Sequence, residues 1–376
     1  MILIKNEAGE TTLSVEEKFA RLRLIRTESI GALRFWEFIN AYGSAQKSLS
    51  VIQKSPQLSI KLCDEDTVGE EIESMEKFGA QFVFLEDELY PPMLRNTPDP
   101  PPVLAFFGNE SRVLEFYNRH LIAVVGARNA SLHSMKFCEQ MVLDLGRNGV
   151  TIISGLARGI DSSAHKSSLK TGTLAVIACG INIPYPSENK KLYAEIAELG
   201  GIFTEMPFDT APQAQLFPRR NRIIAGMSYG TVVIEAAEQS GSLITARMAL
   251  EYNREVFAVP GFPMDPRSVG SNLLIKEGAT LVQNAQDVLE QMESGKYIQK
   301  NLCESEKVRS LVPENLEKTQ QDILNFLSVV PVTIDELISR VKVSPQEVLA
   351  ALLKLELESK VVRLHGQRVC LTAELN

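Results

Sequence analysis

The sequence predicts an α/β protein built around a doubly wound, mainly parallel sheet, with a helical module before it and a winged-helix module after it. Short β-branched runs alternate with helical stretches from His120 onward, which is typical of a doubly wound sheet. Helical apolar spacing dominates residues 14–54, and three short helical patterns followed by a hairpin pattern occupy residues 319–371. With 376 residues the chain has room for two or three domains.

The N-terminal module is predicted from the apolar spacing between Ser14 and Lys54. This spacing is interrupted at residues 29–31 and 42–44, where glycine occurs, so it predicts short helices joined by tight turns. Helical hairpins of this kind can contact a DNA backbone, but a structural or protein-contact role is favoured. The Pro-rich run over residues 90–102 predicts a rigid connector, because proline cannot continue a helix and restricts the residue before it.

Seven strands are predicted for the sheet. They are Leu121–Val125, Val150–Ile153, Thr173–Ala178, Ile202–Glu205, Thr231–Ile234, Glu255–Val259 and Thr280–Val282. Continuously apolar runs such as residues 174–178 indicate a parallel sheet that helices cover on both faces. In such sheets ligands bind at the carboxyl ends of the strands, so the loops after these strands are the first place to look for a site.

The C-terminal module is predicted as three helices and a hairpin. A capping-box pattern at Ser344 and Glu347 opens the third helix, and a hairpin turn is placed at residues 365–367. Acidic residues dominate the second and third helices, which would repel phosphate and favour a protein-contact role. The predicted boundaries are residues 1–75 for the helical module, 76–293 for the core, 294–318 for a linker and 319–376 for the winged helix.

The composition restricts the possible functions. A formal net charge of −8 argues against coating duplex DNA by bulk charge, so any nucleic-acid site must be a local basic groove. The five cysteines include no C-x-x-C pair, and the four histidines lack metal spacing, so neither a disulfide framework nor a metal site is expected. No leader or membrane-spanning run of about 18 apolar residues is recognised, so a cytoplasmic protein is expected.

A basic cluster over residues 217–222 (Phe-Pro-Arg-Arg-Asn-Arg) is the main candidate for binding an anion. Guanidinium groups match phosphate oxygens bidentately and stack on bases. Three loops that follow predicted strands and precede predicted helices add glycines and arginines: residues 126–131, 154–161 and 240–242. Glycine lets the backbone approach a ligand closely, and the N–H groups at a helix start favour an anion.

Familiar enzyme motifs are absent from the sequence. It contains no G-x-G-x-x-G after the first core strand and no Walker phosphate loop, and no Ser or Cys sits in a nucleophile elbow of the G-x-S-x-G kind, so no catalytic residue and no cofactor are expected. One alternative stays open: Glu235, at a predicted strand end, could act on a nucleotide glycosidic bond. A second alternative makes the core a scaffold whose end domains recruit partners.

Taken together, these motifs resemble the DprA/Smf family, the DNA-processing proteins of bacterial transformation, in the family's order and over nearly the whole chain. The motifs are Tyr90-Pro91 with residues 99–101, Val125–Arg128, Ser154–Asp161 with Ala164-His165, Tyr185-Pro186, Phe217–Arg222, Ser240–Ala246 and Val259–Gly261. One departure lies at residues 132–134 (Leu-His-Ser), where the family usually has a glycine. The resemblance implies an extended Rossmann-like core, a sterile-alpha-motif-like N-terminal domain and a C-terminal winged helix.

The resemblance also implies a function: a non-enzymatic protein that binds and protects incoming single-stranded DNA and loads the RecA recombinase, acting as a homodimer through the core. It carries DNA binding to Gly126, Arg128, Gly155, Arg158, Gly159, Phe217, Arg219, Asn221 and Arg222. Arg220, Ser240 and Gly241, from the same basic cluster and strand-end loops, complete the predicted DNA-binding residues. We expect phosphate contacts from the arginines, backbone N–H contacts from the glycine loops and either base stacking or a pocket role for Phe217.

Overall fold

The computed structural model describes residues 4–5, 11–55, 60–299, 316–328, 330–341, 343–358, 360–364 and 367–372. The chain divides into two compact units, Met1–Glu70 with Glu306–Asn376, and Glu71–Ser305. Most of the predicted linker, from residue 300 to 315, lies outside the described residues, as do His365 and Gly366 of the predicted hairpin turn.

The N-terminal elements confirm the predicted short helices. The elements are β1 (Ile4–Lys5), β2 (Thr11–Thr12), α1 (Val15–Arg26), α2 (Ala32–Tyr42), α3 (Ala45–Gln53) and α4 (Glu65–Phe78). The helices are interrupted where the sequence predicted. Gly43 follows α2 with a φ of +81°, a left-handed conformation that glycine adopts without strain. Ser14 and Ser44 cap α1 and α3 by accepting backbone N–H bonds from the first turn.

A nine-stranded sheet forms the centre of the second unit within the described residues. Its strands are β3 (Gln81–Phe84), β4 (Val103–Gly108), β5 (His120–Gly126), β6 (Val150–Ser154), β7 (Thr173–Val176), β8 (Gly201–Thr204), β9 (Gly230–Ile234), β10 (Glu255–Ala258) and β11 (Thr280–Leu281). The order across the sheet is β11-β10-β9-β5-β6-β7-β8-β4-β3. All seven predicted strands form, and they pair in parallel. The predicted fold class is confirmed.

Two strands, β3 and β4, were not predicted, and they add an antiparallel edge beside β8. The Pro-rich segment between them is packed into the core rather than being a spacer. Tyr90 is fully buried there, and its hydroxyl donates to the carbonyl of Pro101 at 2.7 Å. The segment therefore anchors the antiparallel edge to the rest of the core.

Helices cover both faces of the sheet. They are α5 (Glu110–Tyr117), α6 (Leu132–Arg147), α7 (Ile160–Ser168), α8 (Lys190–Leu199), α9 (Leu216–Met227), α10 (Gly241–Glu251), α11 (Val269–Lys276) and α12 (Ala285–Gln299). Strand β5 shows the two-sided burial: Leu121, Ala123 and Val125 join one apolar cluster, while Ile122 and Val124 join another. β5 is therefore held between two apolar clusters, and the loop that follows it lies at the edge of the sheet.

The C-terminal elements form the predicted winged-helix pattern. They are α13 (Leu316–Phe326), β12 (Val332–Thr333), α14 (Ile334–Val341), α15 (Pro345–Leu357), β13 (Val361–Leu364) and β14 (Arg368–Leu371). The capping box predicted at Ser344 and Glu347 is present. The sheet order is β12-β14-β13, which is the wing.

Helix α15 packs against α2 inside the first unit. Leu353 is fully buried in the cluster formed by Phe35 and Phe38, and Arg363 donates to the carboxylate of Glu37 at 3.2 Å. Burial raises the pKa of Glu37, and the positive charge of Arg363 opposes that shift. The third helix of the acidic winged helix therefore contacts another helix of the same chain, α2.

Candidate DNA-binding crevice

The carboxyl ends of β7, β6, β5 and β9 lie next to one another in the sheet and open into a crevice. Two cavities occupy it, one of about 280 Å³ at the β6 and β7 ends and one of about 800 Å³ at the β5 and β9 ends. They share four lining residues: Arg128, Asn129, Ala157 and Phe217. The three loops predicted from the sequence therefore meet at one edge of the sheet.

Helix α9 forms one wall of this crevice and carries the basic cluster. The larger cavity is lined by Phe217, Arg220, Asn221 and Ile224. These are positions i, i+3, i+4 and i+7 of the helix, so they lie on one face. Arg219 and Arg222 line neither cavity. The cluster that is continuous in sequence is therefore divided by the helix between the crevice and the other faces of α9.

Arg220 is a buried guanidinium, with only 5% of the residue exposed. It donates to the carbonyls of Gly155 and Val176, both at 2.5 Å, and to Oδ1 of Asn221 at 3.1 Å. These carbonyls stand at the ends of β6 and β7, so Arg220 ties α9 to two strand ends. Burial lowers the pKa of Arg220 to about 10, and Asp161 opposes this shift. The group remains charged at neutral pH.

Asp161 supplies the negative charge beside Arg220. Its carboxylate accepts the backbone N–H groups of Gly155 at 3.2 Å and Ala157 at 3.4 Å, so it folds the β6 loop back onto the start of α7. Burial raises the pKa of Asp161, while Arg220 and these backbone donors oppose the rise. Asp161 therefore steadies the start of α7.

Asn221 and Arg222 also make intramolecular bonds. The side chain of Asn221 donates to the carbonyl of Gly241 at 3.2 Å, which links α9 to the start of α10. Arg222 donates to Glu205 at 2.6 Å and lies 3.3 Å from a carboxylate oxygen of Asp99. Burial would lower the pKa of Arg222, but the two carboxylates outweigh it and the pKa is raised.

These bonds correct the expected mode of action of Arg220 and Arg222. Both were expected to contact phosphate, but their guanidinium donors are directed to carbonyls and carboxylates of the protein. Reaching a phosphate would break those bonds and leave buried acceptors without a donor. DNA binding by either residue stays a prediction, and in this structure their role is to hold the crevice together.

The exposed rim of the crevice consists of different side chains. The guanidinium of Arg128 lies 4.7 Å from the ring centroid of Phe217, and Tyr185 approaches the same ring at 6.0 Å. Arg158 is exposed and pairs with Glu188 at 2.6 Å, a surface ion pair of little energy. Among the described residues, the exposed side chain of Arg219 has no ion-pair partner.

Three of the predicted glycines are required by contacts between the loops. A Cβ on Gly155 would lie 2.2 Å from the Arg220 guanidinium, one on Gly159 2.2 Å from the carbonyl of Ala127, and one on Gly126 2.0 Å from the carbonyl of Ile234. Gly159 also has a φ of +71°. Steric packing alone therefore accounts for these glycines, whether or not a ligand approaches them.

Gly241 differs from these three because a Cβ there would meet nothing within 4 Å. It begins α10, which Ser240 caps by accepting the N–H of Ser242 at 3.4 Å. Both Ser240 and Gly241 line the larger cavity. The start of α10 is therefore open toward the crevice and suited to a negatively charged ligand.

Glu235 is held in a structural role. Its carboxylate accepts the Ser131 hydroxyl at 2.6 Å and the Ser131 backbone N–H at 3.1 Å, and Arg267 lies 3.6 Å away. These bonds fix the start of α6. The alternative in which Glu235 cleaves a nucleotide would require its carboxylate to give up these bonds, and it stays a prediction.

His165 is fully buried, and its Nδ1 lies 2.7 Å from the hydroxyl of Thr173. Burial lowers the pKa of His165 to about 3, and the charge of Arg220 adds to this shift, so the ring is neutral at pH 7. No cluster able to hold a metal ion occurs among the described residues, and no helix there is both long and apolar enough to cross a membrane.

Several lining residues are absent from the predicted site, among them Asn129, Tyr185 and Arg267. Tyr185 could have been found, because the Tyr-Pro pair was already part of the resemblance. Asn129 adjoins Arg128 and could have been added with it. Arg267 lies far along the chain, after β10, and no local pattern marks it.

The fold and the crevice define a Rossmann-like protein with an arginine-bearing site at its strand ends. Comparison with known proteins gives the family. Residues 81–293 match the family model described as DNA recombination-mediator protein A, residues 309–367 the DprA winged helix domain, and residues 15–74 the DprA-like N-terminal HHH domain. The chain belongs to the DprA/Smf family, as the resemblance predicted.

Named relatives agree with this assignment. Protein Smf of Escherichia coli is 45% identical over 213 residues, which cover 56% of this chain and 56% of that protein. Protein Smf of Synechocystis is 32% identical over 79% of this chain and 81% of its own length. The match to the E. coli protein therefore spans little more than half of it.

Solved structures are similar as well. DprA from Streptococcus pneumoniae has a TM-score of 0.56 and 32% identity, covering 69% of this chain and 98% of that one. DNA processing protein A from Helicobacter pylori, whose structure concerns its single-stranded DNA binding mode, has a TM-score of 0.51 and 28% identity. That likeness covers 57% of this chain and 96% of the H. pylori chain.

Proposed function

We propose that this protein binds single-stranded DNA in the crevice, protects incoming strands and loads RecA onto them during natural transformation. The observation that carries the proposal is the placement of Arg128 4.7 Å from the ring of Phe217 at the wall of a 280 Å³ cavity. An aromatic face beside a cation and a cavity is suited to a stacked base next to a phosphate. Single-stranded DNA binding by the H. pylori relative supports the same function for this protein.

Each rim residue has its own role in binding the strand. Arg128 and Arg158 neutralise phosphates, Phe217 and Tyr185 contact a base, and the open start of α10 at Gly241 offers backbone N–H groups. Base stacking on an aromatic side chain contributes about 1–3 kcal/mol per base. Because every base has a π-face, the site is expected to tolerate any sequence.

The test is fluorescence anisotropy of labelled oligo-dT and of a matched duplex across a salt series, with wild type, Arg128→Ala and Phe217→Ala. Arg247→Ala is the matched control, because Arg247 is exposed on α10 and lines neither cavity. We expect preference for the single strand and a steep loss of affinity with salt, with a slope reduced by about 1 in Arg128→Ala.

Phe217→Ala should weaken binding without changing the salt slope, because it removes stacking and leaves the charges in place. A salt-insensitive complex, or equal losses in Arg128→Ala and Arg247→Ala, would refute the crevice as the DNA site.

RecA loading needs its own assay. RecA assembly on oligo-dT already covered by a single-strand binding protein should be faster with wild type than with Arg128→Ala, since the mediator must hold the strand. Normal DNA binding without any acceleration of RecA would limit the function to protection.

We also propose a cytoplasmic homodimer formed through the core. Support comes from the edge strand β11, where Leu281 is 44% exposed, and from the neighbouring Val269 and Leu273 of α11, exposed by 38% and 37%. Light scattering of Leu273→Glu should then give a monomer. The domain boundaries at residues 75, 293 and 318 also remain proposals, which limited proteolysis can check.

A further inference from the structure

A third cavity, of about 460 Å³, continues the crevice toward β10. It is lined by residues that follow β9 and β10 and by the start of α6, and Arg267 lines both this cavity and the central one. The three cavities therefore follow the strand order β7, β6, β5, β9, β10 along one edge of the sheet. Four steps between neighbouring strands, at about 4.8 Å each, span about 19 Å.

The loop after β10 carries two exposed large apolar side chains, of which Phe262 lines this third cavity. Phe262 is 71% exposed and Met264 81% exposed. Single exposed apolar residues are common, but two on one short loop beside a cavity are typical of a binding surface. Leu132 at the start of α6 is 73% exposed, close in sequence to the lining residues His133 and Ser134.

Hydrogen bonds hold this loop in one shape. Asn272 accepts the N–H of Gly261 at 3.0 Å and donates to the Gly261 carbonyl at 3.0 Å. The N–H of Asp265 donates to the carbonyl of Phe262 at 2.9 Å. A Cβ on Gly261 would lie 2.0 Å from the hydroxyl of Ser268, so the close packing requires glycine. The aromatic ring is thus held out by a pre-organised loop, which reduces the entropy lost on binding.

The charges at the third cavity favour a base over a phosphate. Arg267 lies 2.7 Å from Asp265 and 3.6 Å from Glu235, so its positive charge is offset by two carboxylates. A phosphate gains little there, whereas an uncharged base can stack on Phe262. The exposed arginines Arg128 and Arg158 stand at the other end of the crevice, around the first cavity.

We propose that a single strand leaving the central crevice passes Arg267 and stacks a base on Phe262, which makes Phe262 a second stacking platform. This inference rests on the proposed function, because it extends the same strand. Removing one stacked base is expected to weaken binding about tenfold.

The experiment measures the dissociation constants of oligo-dT of increasing length for wild type, Phe262→Ala and Leu250→Ala. Leu250 is the matched control, since it is 57% exposed on α10 and lines none of the three cavities. We expect all three proteins to bind the shortest oligonucleotides equally. Wild type and Leu250→Ala should gain affinity with length, and Phe262→Ala should stop gaining earlier and bind long oligonucleotides about tenfold more weakly.

A second readout detects stacking directly. The chain has one tryptophan, Trp36. Phe262→Trp combined with Trp36→Phe therefore carries a single tryptophan at the platform, and its fluorescence should be quenched by long oligo-dT but not by the shortest.

The inference is overturned if Phe262→Ala matches wild type at every length, or if it loses affinity equally at all lengths. It is also overturned if Phe262→Ala keeps DNA binding but changes self-association, which would assign the surface to a protein partner. Failure of wild type to bind any oligonucleotide would instead reject the proposed function itself.

Discussion

The crevice has a buried layer and an exposed rim, and both contain arginines. In the buried layer Arg220 and Arg222 are bonded to carbonyls and carboxylates of the protein. On the rim and beyond it, Arg128 lies over an aromatic ring and Arg219 is exposed to solvent. One residue type therefore serves two purposes, and the difference lies in which groups surround each guanidinium.

This difference between the buried layer and the rim decides which substitutions in the cluster are informative. A triple Arg219/Arg220/Arg222→Ala variant would remove one solvated charge and two buried anchors together. Loss of DNA binding in that variant could come from a disordered crevice. Single substitutions in the buried layer report on the stability of the protein, and single substitutions on the rim report on DNA binding.

The largest effect is expected from Arg220→Ala. It removes the positive charge beside the buried carboxylate of Asp161 and leaves the carbonyls of Gly155 and Val176 without this donor. We therefore expect a loss of about 3–5 kcal/mol of unfolding free energy and the loss of DNA binding. Urea denaturation of the full chain measures it. Unchanged stability in Arg220→Ala would show that the buried layer does not anchor the crevice.

Arg222→Ala should cost less, about 1–3 kcal/mol, because it leaves Glu205 without its main donor while Asp99 keeps some contact with solvent. A double-mutant cycle sharpens this expectation. In a Glu205→Gln background the cost of Arg222→Ala should shrink. Equal costs in both backgrounds would mean that the ion pair contributes nothing to stability.

The buried His165 also makes the stability of the core depend on pH. Its pKa is about 3 in the folded protein and near its ordinary value of 6.5 in the unfolded chain, so between these pH values unfolding takes up a proton. Stability from this group is complete above pH 6.5 and falls as the pH drops toward 3, by at most about 1.4 kcal/mol per pH unit.

Urea midpoints between pH 4 and 8 check this prediction. His165→Gln should show a weaker pH dependence than wild type, and His133→Gln, a change on the exposed part of α6, should match wild type. The same slope in wild type and in His165→Gln would contradict the assignment.

The smallest effect on stability is expected from Arg219→Ala, within about 0.5 kcal/mol, because the side chain is exposed and has no ion-pair partner among the described residues. Since Arg219 lines neither crevice cavity, its loss should weaken DNA binding less than Arg128→Ala does. Anisotropy measures both. A greater loss in Arg219→Ala would place the strand along the outer face of α9.

Much of the fold was predictable because parallel strands buried on both faces are continuously apolar. Strands such as β7 and β9 could therefore be placed to within two residues. β3 and β4 were missed because they flank the Pro-rich segment, whose prolines suggested a connector. The pairing partner of β4 is β8, which lies about 100 residues further along the chain, and β3 in turn pairs with β4.

For the site, the sequence by itself determined two features: glycine-containing loops at the strand ends, and a basic cluster beside an aromatic residue. Both follow from the types of the residues, because these set the local backbone freedom and the charge. Only the tertiary structure decided which arginines face solvent. Arg220 meets carbonyls 65 and 44 positions away, and Arg222 meets Asp99 at 123 positions. Such partners are set by how α9 lies across the sheet, and no local pattern contains that information.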